Sequence, residues 1–255
     1  MSPDLFDMHC HLGFCANATQ AACELAVQGV GAFSNTVTPA EFAEQQAALA
    51  DAANVRVGAG LHPWWVGEYD VAADWDRLYN LVARNRFIGE VGLDLSPRHA
   101  DTRKVQLDAL ACIAHACVRT GNKVLSVHAV RALDQLLDEF ERASVLGGMV
   151  GNACIIHWFS GTSDQLTRAR RMGCFFSVNP RMLESKRGRA YAQAIPVDRL
   201  LLETDEPASA GAPWSVARVR ELLEETLTQL VALRGDDPAE LRDRIAQTSR
   251  TLLQR

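Results

Sequence analysis

Eight short runs of apolar, β-branched or aromatic residues recur along this chain at regular intervals, separated by longer stretches with helical spacing. The runs fall at residues 5–9, 30–37, 55–61, 87–93, 123–128, 154–159, 174–178 and 200–204. The stretches between them are rich in Ala, Leu, Glu, Gln and Arg, as at 39–53, 102–120, 132–142 and 216–234. Strands alternating with helices predict parallel β-α units, and eight such units are the count of a closed (β/α)8 TIM barrel. The helix from residue 39 starts well, with Thr38 able to cap and Pro39 in the first turn. A last helix at 238–253 is expected on the outside. No linker or low-complexity stretch divides the chain, so residues 1–255 read as a single domain. The turn-rich segment 206–213 follows the eighth strand and reads as a loop at the barrel mouth. An open doubly wound sheet is the alternative, but no glycine-rich phosphate loop follows any strand.

Composition narrows the partners. Apolar residues make up 48% and charged residues 22% of the 255, ordinary for a globular protein and ample for a core. A formal net charge of −5 supplies no global basic field for nucleic acid or anionic membrane, although a locally basic mouth stays open. The seven cysteines (10, 15, 23, 112, 117, 154 and 174) are odd in number and scattered, without a C-x-x-C. That pattern predicts free thiols in a reducing compartment. The first residues carry no signal-peptide pattern, and no apolar run approaches a membrane span. A cytoplasmic monomer or weak oligomer is expected.

The polar residues on this frame carry the chemistry. His9 and His11 end the first strand, where a period of two puts both imidazoles on one side. Glu90 lies inside the fourth strand. His128 ends the fifth, His157 lies toward the end of the sixth, and Asp205 ends the eighth. Taken singly, each has an ordinary reading: a satisfied core histidine, a helix cap, a solvated loop carboxylate. Taken together they are metal-competent residues at the carboxyl ends of strands, the face where barrel enzymes build their sites. Glu90 in an apolar strand needs a nearby cation, because an unpaired buried carboxylate is costly. Six ligands exceed the needs of one tetrahedral zinc and suit two divalent ions sharing a bridging carboxylate.

Five ordered motifs give these residues a family likeness. Asp7-Met8-His9-Cys10-His11-Leu12, Gly60-Leu61-His62-Pro63, Gly89-Glu90-Val91-Gly92-Leu93-Asp94, His157-Trp158-Phe159-Ser160-Gly161 and Leu202-Glu203-Thr204-Asp205-Glu206-Pro207 resemble those of the TatD-type metal-dependent hydrolases. The resemblance implies a (β/α)8 barrel, two divalent metals and hydrolysis, often of phosphodiesters in DNA. It implies that His9, His11, Glu90 and Asp205 hold one ion, and that Glu90, as bridge, holds a second with His128 and His157. Asp205 would also take the proton of the attacking water. Many related amidohydrolase barrels bridge their metals with a carboxylated lysine, so Glu90 favours the TatD-like branch.

The substrate shell is less regular. His62 is expected to touch substrate or stand behind the metal ligands rather than ligate, or simply to structure its loop, and Glu203 to orient a ligand histidine or form an interior ion pair. His99 and His115 look incidental. Arg98, Arg103, Arg131, Arg181, Lys186 and Arg187 fall in mouth loops where phosphate would lie, while Trp64, Trp65 and Trp158 can stack bases or pack the rim. Relatives commonly have Ser/Cys-Arg-Asp after the strand-five histidine and a basic segment after the final aspartate. Here those places read Ala129-Val130-Arg131 and the neutral stretch 208–214. The expectation is a two-metal phosphodiesterase acting on a nucleic acid or smaller phosphodiester, with Zn, Mg or Mn. A hydrolase of C–N or ester bonds and a non-catalytic metal-holding protein are the alternatives.

Overall fold

Each of the eight apolar runs forms a β-strand in the computed structural model, which describes residues 3–70, 73–212 and 214–254. The strands are β1 (Leu5–Cys10), β2 (Val30–Asn35), β3 (Val55–Leu61), β4 (Phe87–Asp94), β5 (Val124–Val130), β6 (Ala153–His157), β7 (Phe175–Val178) and β8 (Leu200–Leu202). They pair in sequence order, each parallel to the next. Past the end of β8 the sheet returns to β1: Asp205 N–H donates to the His9 carbonyl at 2.9 Å, and His11 N–H donates to the Glu206 carbonyl at 2.9 Å. Asp7 strengthens this seam by accepting from the Thr204 N–H at 3.0 Å and its hydroxyl at 2.6 Å. The result is a single-domain (β/α)8 barrel. Pro213, the last residue of the turn-rich mouth segment, lies outside the described residues.

Helices fill every connection: α1 (Ala18–Val27), α2 (Pro39–Ala48), α3 (Trp75–Arg84), α4 (Arg103–Thr120), α5 (Leu133–Ala143), α6 (Ser163–Arg171), the pair α7 (Pro180–Glu184) and α8 (Lys186–Ala194), then α9 (Val216–Arg234) and α10 (Pro238–Gln254). Local chemistry sets their starts. Thr38 accepts from Glu41 N–H with Pro39 at the first position, and Thr162 with Gln165 forms a reciprocal capping box. The helix expected over 39–53 stops at Ala48, where Leu49 takes the cap and the chain turns toward β3.

Two apolar clusters divide the core. The larger lies between the outer faces of the strands and the helices, with Leu25, Phe42, Leu110 and Leu223 among its members. The smaller joins Phe6, Met8, Phe33, Val124, Ile155 and Leu201 of the strands to Leu252 and Leu253 of α10. The final helix therefore does more than pack on the outside, since its last turn seals the lower end of the barrel interior. Above that apolar floor the interior turns polar, with Asn35, Ser126, Ser177 and Glu203 all buried. Phe6 and Met8 belong to the interior cluster whereas Cys10, of the same parity, belongs to the outer one. The register irregularity between Asp7 and Cys10 accounts for this switch, and it turns His9 and His11 inward above Met8. A second irregularity between Ile88 and Val91 does the same for Glu90.

Among the described residues no helix is long and apolar enough to cross a membrane. All seven cysteines are free, five of them buried.

Candidate metal centre

Glu90 is the hub of the site. It is 2% exposed, and its two oxygens face different histidines. Oε2 lies 3.3 Å from His9 Nε2 and 3.4 Å from His11 Nε2. Oε1 lies 2.9 Å from His128 Nδ1, 3.0 Å from His157 Nε2 and 3.2 Å from His62 Nε2. Asp205 joins the first set, with Oδ1 3.5 Å from His11 Nε2 and 3.7 Å from His9 Nε2. Three groups of these atoms are close enough to hold a metal ion: His9, His11 and Asp205; His9, Glu90 and His157; His62, Glu90 and His128.

Hydrogen bonds behind the rings separate ligand-competent histidines from others. His11 Nδ1 faces the Asn35 carbonyl at 3.1 Å, which can only accept, so Nδ1 keeps a proton and Nε2 is the nitrogen turned to the centre, able to ligate once a metal displaces its own proton. His9 Nδ1 pairs with the Ser126 hydroxyl at 2.7 Å, which likewise turns Nε2 inward. The two Nε2 atoms face each other at 3.3 Å, on either side of a place that a cation can take. His62 is the reverse case. Its Nδ1 accepts the Trp64 backbone N–H at 3.1 Å, which puts the proton on Nε2, where it donates to Glu90. Distance alone groups His62 with possible ligands, but this tautomer makes it a hydrogen-bond donor to Glu90 instead.

The outer nitrogens of the remaining two rings aim at buried carboxylates. His128 Nε2 faces Asp94 Oδ2 at 3.6 Å, and His157 Nδ1 faces Glu203 Oε1 at 3.7 Å. Neither nitrogen has a closer partner among the described residues. Glu203 is fully buried and held by the Trp158 N–H, the Asn179 amide and the Ser177 hydroxyl. It thus backs a histidine of the cluster. The donor set fits a cation: buried imidazoles that each turn a ring nitrogen inward, a carboxylate shared among them, and acceptors behind.

The electrostatics agree. Burial pushes the Glu90 carboxyl up, yet the rings of His62, His9 and His157, which become charged in the acid range where a carboxyl titrates, outweigh it and hold the group well below the usual carboxylate range. Burial likewise raises Asp205, but the hydrogen bond from His11 and the charges of His157 and His9 bring it down to about 2. Burial lowers His62 to about 4, leaving a neutral ring at pH 7.

Glycines let the backbones carry these side chains so close together. A Cβ on Gly60 would lie 1.6 Å from the Thr36 carbonyl oxygen and 2.8 Å from Glu90 N. Gly92 has φ +139° and would put a Cβ 2.1 Å from the His128 carbonyl oxygen. The glycines flanking His62 and Glu90 in the sequence motifs are thus steric requirements.

The centre opens into a cavity of about 490 Å³ walled by Phe14, Val37, Trp64, Trp65, Trp158 and Arg181, among others. Of the arginines expected at the mouth, Arg181 lines it, ion-paired to Glu206 and lying 5.7 Å from the Trp158 ring centroid. Arg131 and Arg187 line an adjoining cavity, and Arg98 lines neither. Four contributors carried no assigned role in the sequence: Asp94, Ser126, Asn35 and His99, the last stacked on Trp64 at 5.4 Å. Asp94 had a usable signal, since it ends the same strand as Glu90 with the same parity.

Fold and site together define a (β/α)8 barrel with a carboxylate–imidazole cluster at the carboxyl ends of its strands, built to hold metal. The sequence model of the TatD related DNase family matches residues 6–254, and the chain belongs to that family. It is 30% identical to the 3′-5′ ssDNA/RNA exonuclease TatD of Pantoea vagans, over 76% of each chain. It is 27% identical to the protein of the same name from Dickeya dadantii, over 94% of this chain and 92% of that one. Among solved structures, a TatD homologue from Escherichia coli superposes with a TM-score of 0.77 at 22% identity, covering 99% of this chain and 98% of that one.

Proposed function

We propose that the protein is a metal-dependent hydrolase of phosphodiester bonds, a nuclease whose centre uses two divalent ions. The observation that carries this reading is the division of Glu90 between two sets of histidines. His9, His11, Glu90 and Asp205 would hold one ion; Glu90, His128 and His157 the other. Family membership and the named activity of the relatives point the same way.

When bound, divalent ions lower the pKa of water and neutralise charge on a phosphoryl group. The chain supplies the rest. Asp205 is ionised at neutral pH and keeps 19% of its side chain exposed, so it can take the proton of an attacking water. Neutral His62 donates to Glu90 from Nε2 and fixes the orientation of that carboxylate. Ser126, Asn35, Asp94 and Glu203 fix the rings. Zn and Mn suit mixed imidazole and carboxylate donors better than Mg, which prefers carboxylates and water.

Turnover of four substrates by Mn²⁺-loaded protein tests this reading: a single-stranded DNA, an RNA, bis(4-nitrophenyl) phosphate and an N-acyl amino acid. Cleavage of at least one phosphodiester is expected. Turnover confined to the N-acyl compound would replace the nuclease reading with an amidohydrolase one.

A further inference from the structure

Trp64 is one of few large apolar side chains that the fold leaves in solvent, 51% exposed, and it does so at the wall of the cavity above the metal centre. Its orientation is nonetheless fixed. The indole N–H donates to Asp94 Oδ2 at 2.7 Å, and the ring stacks at 11° on His99 and at 25° on Trp65. A rigid, half-open indole gives up little conformational entropy when a flat ligand covers it. It also stands close to the chemistry, with ring centroids 5.0 Å from His62 and 6.1 Å from His128.

The same cavity is poor in cations. Among the described residues Arg181 is the only arginine or lysine lining it, and Glu206 already neutralises that charge. Arg187, on the neighbouring cavity, is spent on the carbonyls of Ser160 and Gly161. Arg131, on that neighbouring cavity, is then the one cation left close to the mouth among the residues lining either cavity, so phosphates outside the metal centre meet little free positive charge.

We propose that Trp64 is a base-stacking platform, and that this site recognises its substrate by one nucleobase laid on that ring rather than by ionic contacts along a phosphate backbone. The inference rests on the nuclease reading above. A base on Trp64 leaves its own sugar-phosphate beside His128 and Glu90, so the platform measures one nucleoside from the scissile bond. Stacking is tolerant of base identity, because every base offers a π face. Recognition of this kind suits the end of a single strand or a short oligonucleotide, whose bases are free.

The test compares a dithymidine phosphodiester with two analogues in which one or the other nucleoside is replaced by an abasic tetrahydrofuran residue, using Mn²⁺-loaded protein. One analogue is expected to lose about tenfold in kcat/KM, and the other to lose little. In Trp64→Leu that difference disappears, and Trp64→Phe restores most of it. The log of KM for a single-stranded hexanucleotide is expected to change with log salt by a slope below about 1, against about 2 or more for three phosphate contacts. Equal cleavage of all three dinucleotides by the wild-type protein, or a steep salt slope, overturns the platform while leaving the nuclease reading intact. Failure to cleave any of them, together with bis(4-nitrophenyl) phosphate, overturns both.

Discussion

Replacing Glu90 by Gln probes the bridge directly. Gln has the same shape but one acceptor oxygen and no charge, so one of the two histidine sets loses its carboxylate partner. Removing a residue that merely backs a metal ligand costs 10–100-fold in affinity, which sets a floor of about 100-fold for the bridge itself. At a Mn²⁺ concentration about 100 times the wild-type Kd, metal stabilises the folded state by about 2.7 kcal/mol. For a domain of this length that is a rise in Tm of roughly 5–10 °C. In Glu90→Gln the same concentration is near Kd, the stabilisation falls to about 0.4 kcal/mol, and the rise shrinks to about 1 °C. Differential scanning fluorimetry with and without Mn²⁺ reads both numbers, and circular dichroism checks that the variant is folded. An undiminished metal-induced rise in Glu90→Gln would refute the bridging assignment.

Four further outcomes are expected. Asp205→Asn lowers kcat by about 10²–10⁴, the range for losing a general base. Asn tolerates the φ of +58° at this position, so an unchanged Tm should accompany the loss; retained turnover would remove Asp205 as proton acceptor. Asp94→Ala weakens Mn²⁺ binding by about 10–100-fold in calorimetry, because His128 Nε2 loses the carboxylate it faces. Metal binding releases at least one proton per chain at pH 8. Burial lowers the His11 ring, but the hydrogen bonds and charges of Asp205 and Glu90 outweigh it and hold it at about 10, so the metal must displace a proton and affinity rises with pH up to that value. Calorimetry in buffers of different ionisation enthalpy measures this, and zero release would count against it. Gly60→Ala costs roughly 4 kcal/mol or more, since the new methyl meets a backbone carbonyl that cannot move, and a chemical denaturation curve like that of wild type would contradict the close approach.

Much of this was legible in the sequence because the determinants are local. The β3 run at 55–61 coincides with the strand observed, and Thr38-Pro39 starts its helix where caps and φ restriction require. The cluster residues were legible because His9, His11, His128, His157 and Asp205 fall at or near strand ends that the barrel brings to one face, and Glu90 because it is a carboxylate inside an apolar strand. Parity was less so. A strict period of two leaves His9 and Cys10 on the wrong sides relative to Met8, and only the irregularities in β1 and β4 restore the inward aim of His9 and Glu90. Such irregularities depend on pairing with β2, β3 and β5, which no single run reveals. The tautomer of His62 depends on one backbone N–H two residues on, and the end of β8 at Leu202 on bonds that Glu203, Thr204 and Asp205 make to distant strands. His99 read as incidental because its partner Trp64 lies 35 positions away in sequence, on another loop.

The most direct test is a titration of metal-depleted protein with Mn²⁺, following cleavage of a single-stranded DNA oligonucleotide. With Glu90 shared between two ions, cleavage is absent after chelation and rises until about two equivalents per chain are bound. Cleavage that persists in the metal-depleted protein, or that saturates at one equivalent, would contradict it.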